Sequence, residues 1–260
     1  PPERAHYNPS ERRVNDVVHS KLEVSFDWEK AYLNGVATLT ISPYFYPVND
    51  VVLDAKGMDI HGVEISTPDH DSETLQFDYD DRFLTVQLNR QYTRKDTFDL
   101  KIKYTAKPNE WETNGSSAIA SDKGLYFINN DKSDPSKMPQ IWTQGETEAS
   151  SVWFPTIDAP NERHTQELYI TLVNQYKTLS NFKLVYSNYN FNLTRTYYCK
   201  QYFSHSPYLT IISIFSFVLV YFVCTCSYFS YFIFFYYIFF SHFFTPFSFF
   251  FLFFLLLLFF

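Results

Sequence analysis

The sequence predicts an antiparallel all-β domain followed by an uncharged apolar tail, and three observations carry that reading. Short runs of alternating apolar and polar residues recur as far as Val173. Turn-forming residues separate them. After Lys200 there is no Asp, Glu, Lys or Arg, although half of the aromatic residues fall there. A strand with one face in a core has a period of two, because successive side chains point to opposite sides. Many such strands with frequent turns give a sandwich or a curled sheet.

Residues 1–16 are polar and read as a lead-in arm. Leu22-Glu23-Val24-Ser25-Phe26-Asp27-Trp28 alternates cleanly, as does Val36-Ala37-Thr38-Leu39-Thr40-Ile41. Leu33-Asn34-Gly35 between them reads as a hairpin turn, since Asn-Gly readily takes positive φ. Val51-Val52-Leu53 is a short strand, Ala55-Lys56-Gly57 a turn, and Asp59 to Ile65 the next strand. Leu75 to Tyr79 and Phe83 to Leu88 flank a turn at Asp80-Asp81-Arg82. Thr97 to Tyr104 and Leu168 to Val173 alternate again, and no stretch before the tail has a helical period. The expected division is a lead-in arm at 1–16, a β-domain at 17–187, a linker at 188–206 and the apolar tail at 207–260.

The formal net charge of -7 argues against a nucleic-acid partner, which would want a basic face. Cys199, Cys224 and Cys226 all lie late in the chain, so no disulfide framework is expected for the charged part. The tail is long enough for two membrane spans of ~20 residues each, with His242 and Pro246 marking a break. Its residues also share thymine-rich codons, so a mis-read non-coding stretch is the competing origin. The tail gives a membrane localisation if it is made; otherwise the compartment, exported or cytoplasmic, is open. Two glycosylation triplets occur, at Asn114 and Asn192.

No H-E-x-x-H pair of histidines, P-loop, G-x-S-x-G or G-x-G-x-x-G is present. His164 begins a segment with the spacing of an inverted zinc motif, but Leu168 stands where the second His belongs, and His164 reads as an ordinary exposed residue beside a strand. The most informative segment is Trp142-Thr143-Gln144-Gly145-Glu146-Thr147-Glu148, followed by Trp153-Phe154-Pro155-Thr156-Ile157-Asp158-Ala159-Pro160-Asn161-Glu162-Arg163. The order T-Q-x-E, then W-F-P-x-x-D-x-P-x-x-R, resembles the end of the amino-terminal domain of the aminopeptidase N family of zinc metallopeptidases. His19 to Val24, Leu53 to Ile60 and Thr178-Leu179-Ser180-Asn181 are similar to other stretches of that domain, so the resemblance runs over about residues 10–187. Phe182 stands where members usually carry Gly in a tight turn.

The resemblance implies a saddle-like β-domain that docks on a catalytic domain. It implies that Gln144 lines the specificity pocket and that Glu146 holds the substrate's α-ammonium. In an extended segment these two positions face the same side, and a carboxylate at a fixed place recognises a free amino terminus by charge-assisted hydrogen bonds. Trp153, Phe154 and Pro155 read as core and turn, and Asp158 and Arg163 as structural partners. The family's zinc motif and catalytic groups are missing from the sequence, so no catalytic or metal residue is assigned, zinc belongs to the full-length family only, and no hydrolysis is expected of this chain alone. The expected partners are peptide amino termini and a catalytic domain. The competing functions are a membrane-tethered, non-catalytic β-domain that binds a peptide or protein, and an unrelated adhesion module.

Overall fold

The computed structural model describes residues 12–111 and 122–216. These form fifteen strands and two single-turn 3-10 segments, with no α-helix among them. The strands are β1 (Asn15–Asp27), β2 (Tyr32–Pro43), β3 (Val48–Asp54), β4 (Met58–Thr67), β5 (His70–Thr74), β6 (Phe77–Tyr79), β7 (Phe83–Tyr92), β8 (Phe98–Ala106), β9 (Leu125–Ile128), β10 (Gln140–Thr143), β11 (His164–Val173), β12 (Tyr176–Ser180), β13 (Lys183–Tyr189), β14 (Thr194–His205) and β15 (Ile212–Ser216).

They build three sheets. The large one has the order β13-β14-β11-β1-β2-β8-β4-β5. A four-stranded sheet has the order β12-β15-β10-β9, and a three-stranded one the order β3-β7-β6. Pairing is antiparallel except between β1 and β11, which run parallel from His19↔Thr165 to Ser25↔Thr171. The period of two is visible in burial: Leu22 and Val24, Ala37, Leu39 and Ile41, and Leu168, Ile170 and Leu172 all point inward. One hydrophobic cluster joins these to Val51, Leu53, Leu84 and Val86 of the three-stranded sheet and to Leu125, Ile141, Ile212 and Ile214 of the four-stranded one.

The structure corrects several expectations. The first hairpin does not turn at Asn34-Gly35, which lie inside β2. The turn is Trp28 to Ala31: the Asp27 carboxylate accepts the backbone N–H groups of Glu29 and Lys30, both at 3.1 Å, and Ala31 takes φ 57°. Gly35 is needed for packing instead, since a Cβ there would stand 2.4 Å from the Tyr104 ring. Where a linker was expected at 188–206, β14 pairs with both β11 and β13. Residues 207–216, expected in the tail, include β15, whose Ile212 and Ile214 are fully buried. The first compact unit therefore ends at Ser216. No helix among the described residues is long and apolar enough to cross a membrane. The expected spans after Ser216 lie outside those residues, as do Cys224, Cys226, Asn114 and most of the lead-in arm.

Candidate functional site

β10 runs between β9 and β15, and the T-Q-x-E segment leaves its end. Ile141, Thr143 and Gly145 are buried; Trp142 and Glu146 are exposed and Gln144 is half-buried. β10 ends at Thr143, the alternation of burial runs on through Gln144 and Gly145, and Glu146 opens a turn over residues 146–149. Trp142 stacks on its cross-strand partner Tyr126, with ring centroids 4.4 Å apart.

Two glycines hold the segment down. A Cβ on Gly145 would stand 2.5 Å from the Tyr208 carbonyl oxygen and 2.7 Å from Ser150 Oγ. A Cβ on Gly124 would stand 1.9 Å from the Ala149 carbonyl oxygen, and Gly124 also has φ +66°. In this gap the Gln144 N–H donates to the Gly124 carbonyl at 2.9 Å, and the Ala149 N–H donates to the Gly145 carbonyl at 3.0 Å. Sequence reasoning missed Gly124 and the backbone of Tyr208. The signal for Gly124 was its isolation before an apolar run, the usual mark of a position needing positive φ.

The segment that follows is tied to the β3–β4 turn. The Lys56 ammonium donates to the Glu148 carbonyl. The Lys56 N–H donates to the Ser151 carbonyl at 2.8 Å, and Asp54 and Thr156 exchange backbone bonds at 2.7 and 3.0 Å. Asp158 accepts the Ser151 N–H at 2.8 Å and is buried, which pushes its carboxyl up to about 6. Trp153 and Phe154 are fully buried beneath this loop. Arg163, expected as a partner of Asp158, is exposed. The buried neighbour is Glu162, which accepts the Val17 N–H at 2.8 Å and meets Arg13 at 3.0 Å. Burial pushes Glu162 up to about 7 against those favourable contacts.

Behind the site lies a polar layer. Thr143 Oγ1 accepts the Ile212 N–H at 2.9 Å and donates to the Thr210 carbonyl at 3.2 Å. Thr210 Oγ1 donates to Gln166 Oε1 at 2.8 Å. His164, expected to be exposed, is fully buried, with its ring 5.8 Å from that of His205. Desolvation pushes His164 down to about 3. Phe182 needs no left-handed backbone, for it is not among the residues with positive φ; its buried ring meets His205 edge-on at 5.2 Å.

The described residues do not fit zinc. Catalytic zinc wants three protein ligands, and no group of three His, Cys, Asp or Glu among the described residues could hold a metal. Among the described residues His164 and His205 lack a third such donor.

The family profile described as the Peptidase M1 N-terminal domain matches residues 4–209. Among solved structures, the M1 zinc metallopeptidase from Deinococcus radiodurans aligns with TM-score 0.65 at 18% identity, over 79% of this chain and 43% of that one. A two-domain M1 zinc metallopeptidase variant bound to L-arginine aligns with TM-score 0.66 at 17% identity, over 80% and 44%. Yeast LTA4 hydrolase in complex with bestatin aligns with TM-score 0.61 at 19% identity, over 83% and 31%. At these identities the likeness is one of fold, and the chain spans less than half the length of these proteins. No curated protein sequence matches it. With a profile match across most of its length and the same β-architecture, the chain belongs to the Peptidase M1 N-terminal domain family.

Proposed function

We propose that this chain is the substrate-recognition and docking domain of a zinc-dependent aminopeptidase. Gln144 lines the pocket for the first side chain, and Glu146 holds the α-ammonium of a peptide. Zinc and the activated water come from a catalytic domain, so the chain alone is inactive. The observation that supports this reading is the double-glycine seat, which packs the backbone beside half-buried Gln144 and exposed Glu146 closely on its neighbours. A loop held this firmly can present a carboxylate at a fixed place, as recognition of an amino terminus requires.

The test is to join residues 1–216 to the catalytic domain of an M1 zinc metallopeptidase and measure kcat/KM on an aminoacyl-anilide. Glu146→Gln removes a charge-assisted contact worth ~1.5–3 kcal/mol, which is about a ten- to hundredfold fall in kcat/KM. An unchanged kcat/KM would remove Glu146 from the site. Hydrolysis by the unfused chain would refute its inactivity.

A further inference from the structure

The link between β14 and β15 is a strap that floors the T-Q-x-E loop. It runs from Ser206 to Ile211 and contains the 3-10 turn Pro207–Leu209. Three ties hold it down. Ser206 Oγ donates to the Pro160 carbonyl at 2.8 Å. The Asn181 side chain clasps the other end, donating to the Leu209 carbonyl at 2.8 Å and accepting the Ile211 N–H at 3.1 Å. Thr210 is tied inward: its hydroxyl donates to Gln166 Oε1 at 2.8 Å, and its carbonyl accepts Thr143 Oγ1 at 3.2 Å. The backbone of Tyr208 is the surface on which Gly145 rests.

His164 sits at the root of this strap. It pairs with His205, the residue before Ser206, and regular pairing of β11 with β14 is interrupted between His164 and Gln166. The imidazole is fully buried, and among the described residues neither ring nitrogen has a hydrogen-bond partner. An imidazolium carries two N–H donors, so a proton here would leave two donors unmet and a charge buried. The surroundings do not offset that charge. Gln166, Thr210 and Phe182 are uncharged. The ionisable neighbours are His205 on β14 and His19 on β1, and both oppose a proton on His164. The two carboxylates nearest along the chain are engaged elsewhere, Glu162 with the Val17 N–H and Arg13, and Glu167 with Lys200.

We propose that the strap is an acid-sensitive latch: a proton on His164 releases Ser206–Ile211 from its ties, and the T-Q-x-E loop loses its floor. The closed state holds the ring neutral and buried, and the released state puts the imidazolium in water. The two states therefore differ in proton affinity, which is what a pH switch requires. The buried ring titrates at about 3 and a solvated one near ~6.5. Release is then favoured about thirtyfold more at pH 5.0 than at pH 7.5.

The test is hydrogen–deuterium exchange on the full chain in mild detergent, read by mass spectrometry at pH 7.5 and 5.0 and corrected for the intrinsic effect of pH. Peptides covering 206–212 and 144–149 should exchange about thirtyfold faster at pH 5.0. Low urea should leave that exchange unchanged, as for a local opening. Peptides from β2 and β8 should exchange only through the urea-dependent unfolding of the whole domain. His164→Leu should abolish the acid effect on both site peptides, and His164→Gln repeats the test should the first variant misfold. An acid effect below about threefold, one that survives these variants, or one that β2 and β8 share with the same urea dependence would each overturn the latch.

Discussion

His164 makes the buried polar layer testable through pH. Its imidazole is fully buried and titrates near 3 in the folded chain, pushed down by desolvation. In the unfolded chain it should titrate near ~6.5. The folded pKa is the lower one, so the native state holds the ring neutral. Its contribution is complete above the unfolded pKa and is lost as pH falls from about 6.5 towards 3. At one pKa unit per ~1.4 kcal/mol, going from pH 7.5 to 4.5 costs about 3 kcal/mol through this one residue. Asp158 and Glu162 act in the opposite sense. Their folded values are raised to about 6 and about 7 by burial, so their contributions are present at low pH and lost as pH rises through those values. The three contributions partly cancel in the native curve, and a substitution is needed to separate them. Urea unfolding of the native chain and of His164→Leu should be followed by tryptophan fluorescence at both pH values. Relative to native, the variant should gain about 3 kcal/mol on acidification, on the order of 1 M in urea midpoint for a typical m-value. A gain below about 0.5 kcal/mol would show that His164 is solvated or charged in the native state.

The carboxylates provide the mirror experiment. Glu162→Gln should remove this residue's share of the stability lost between pH 5 and 7, read as a changed slope of midpoint against pH, since the group's folded value is about 7. Gly145→Ala forces a methyl against the Tyr208 backbone and should cost about 1–3 kcal/mol, a fall of several degrees in Tm by calorimetry. Gly124→Ala should cost more, because it adds positive-φ strain to its contact with the Ala149 carbonyl. Trp153→Ala, which empties the core under the loop, should cost about 3–5 kcal/mol by urea unfolding.

What the sequence made legible follows from which forces act locally. β2, β7, β8 and β11 bury one face each, so alternation found them. β5 buries neither face and leaves no pattern to read. Asn34-Gly35 looked like a turn because Asn-Gly favours one, yet a 12-residue strand passes through it. The deciding factor was the Tyr104 ring on β8, distant in sequence and invisible to a local rule. The strands after Tyr176 were missed for a similar reason: β15 finds its partners, β10 and β12, far back along the chain. At the site, Gln144 and Glu146 stood out only through the family resemblance. The burial of Glu162 and His164 had no sequence signal, because both are polar residues beside a turn and their concealment depends on β1 and β14.

The parallel pairing of β1 with β11 has a consequence for synthesis. A ribosome releases β1 long before β11, so the seam in the large sheet between Leu22 and Leu168 must wait for most of the domain to emerge. Strands β1 to β8 pair among themselves apart from the β1–β11 seam, so they can organise before β11 emerges. The sheet bearing Gln144 closes last, because β15 inserts between β12 and β10 and lies at its middle. Until Ser216 is out, β10 and β12 stand as open edges, and a nascent chain stalled before that point exposes the T-Q-x-E loop without its floor.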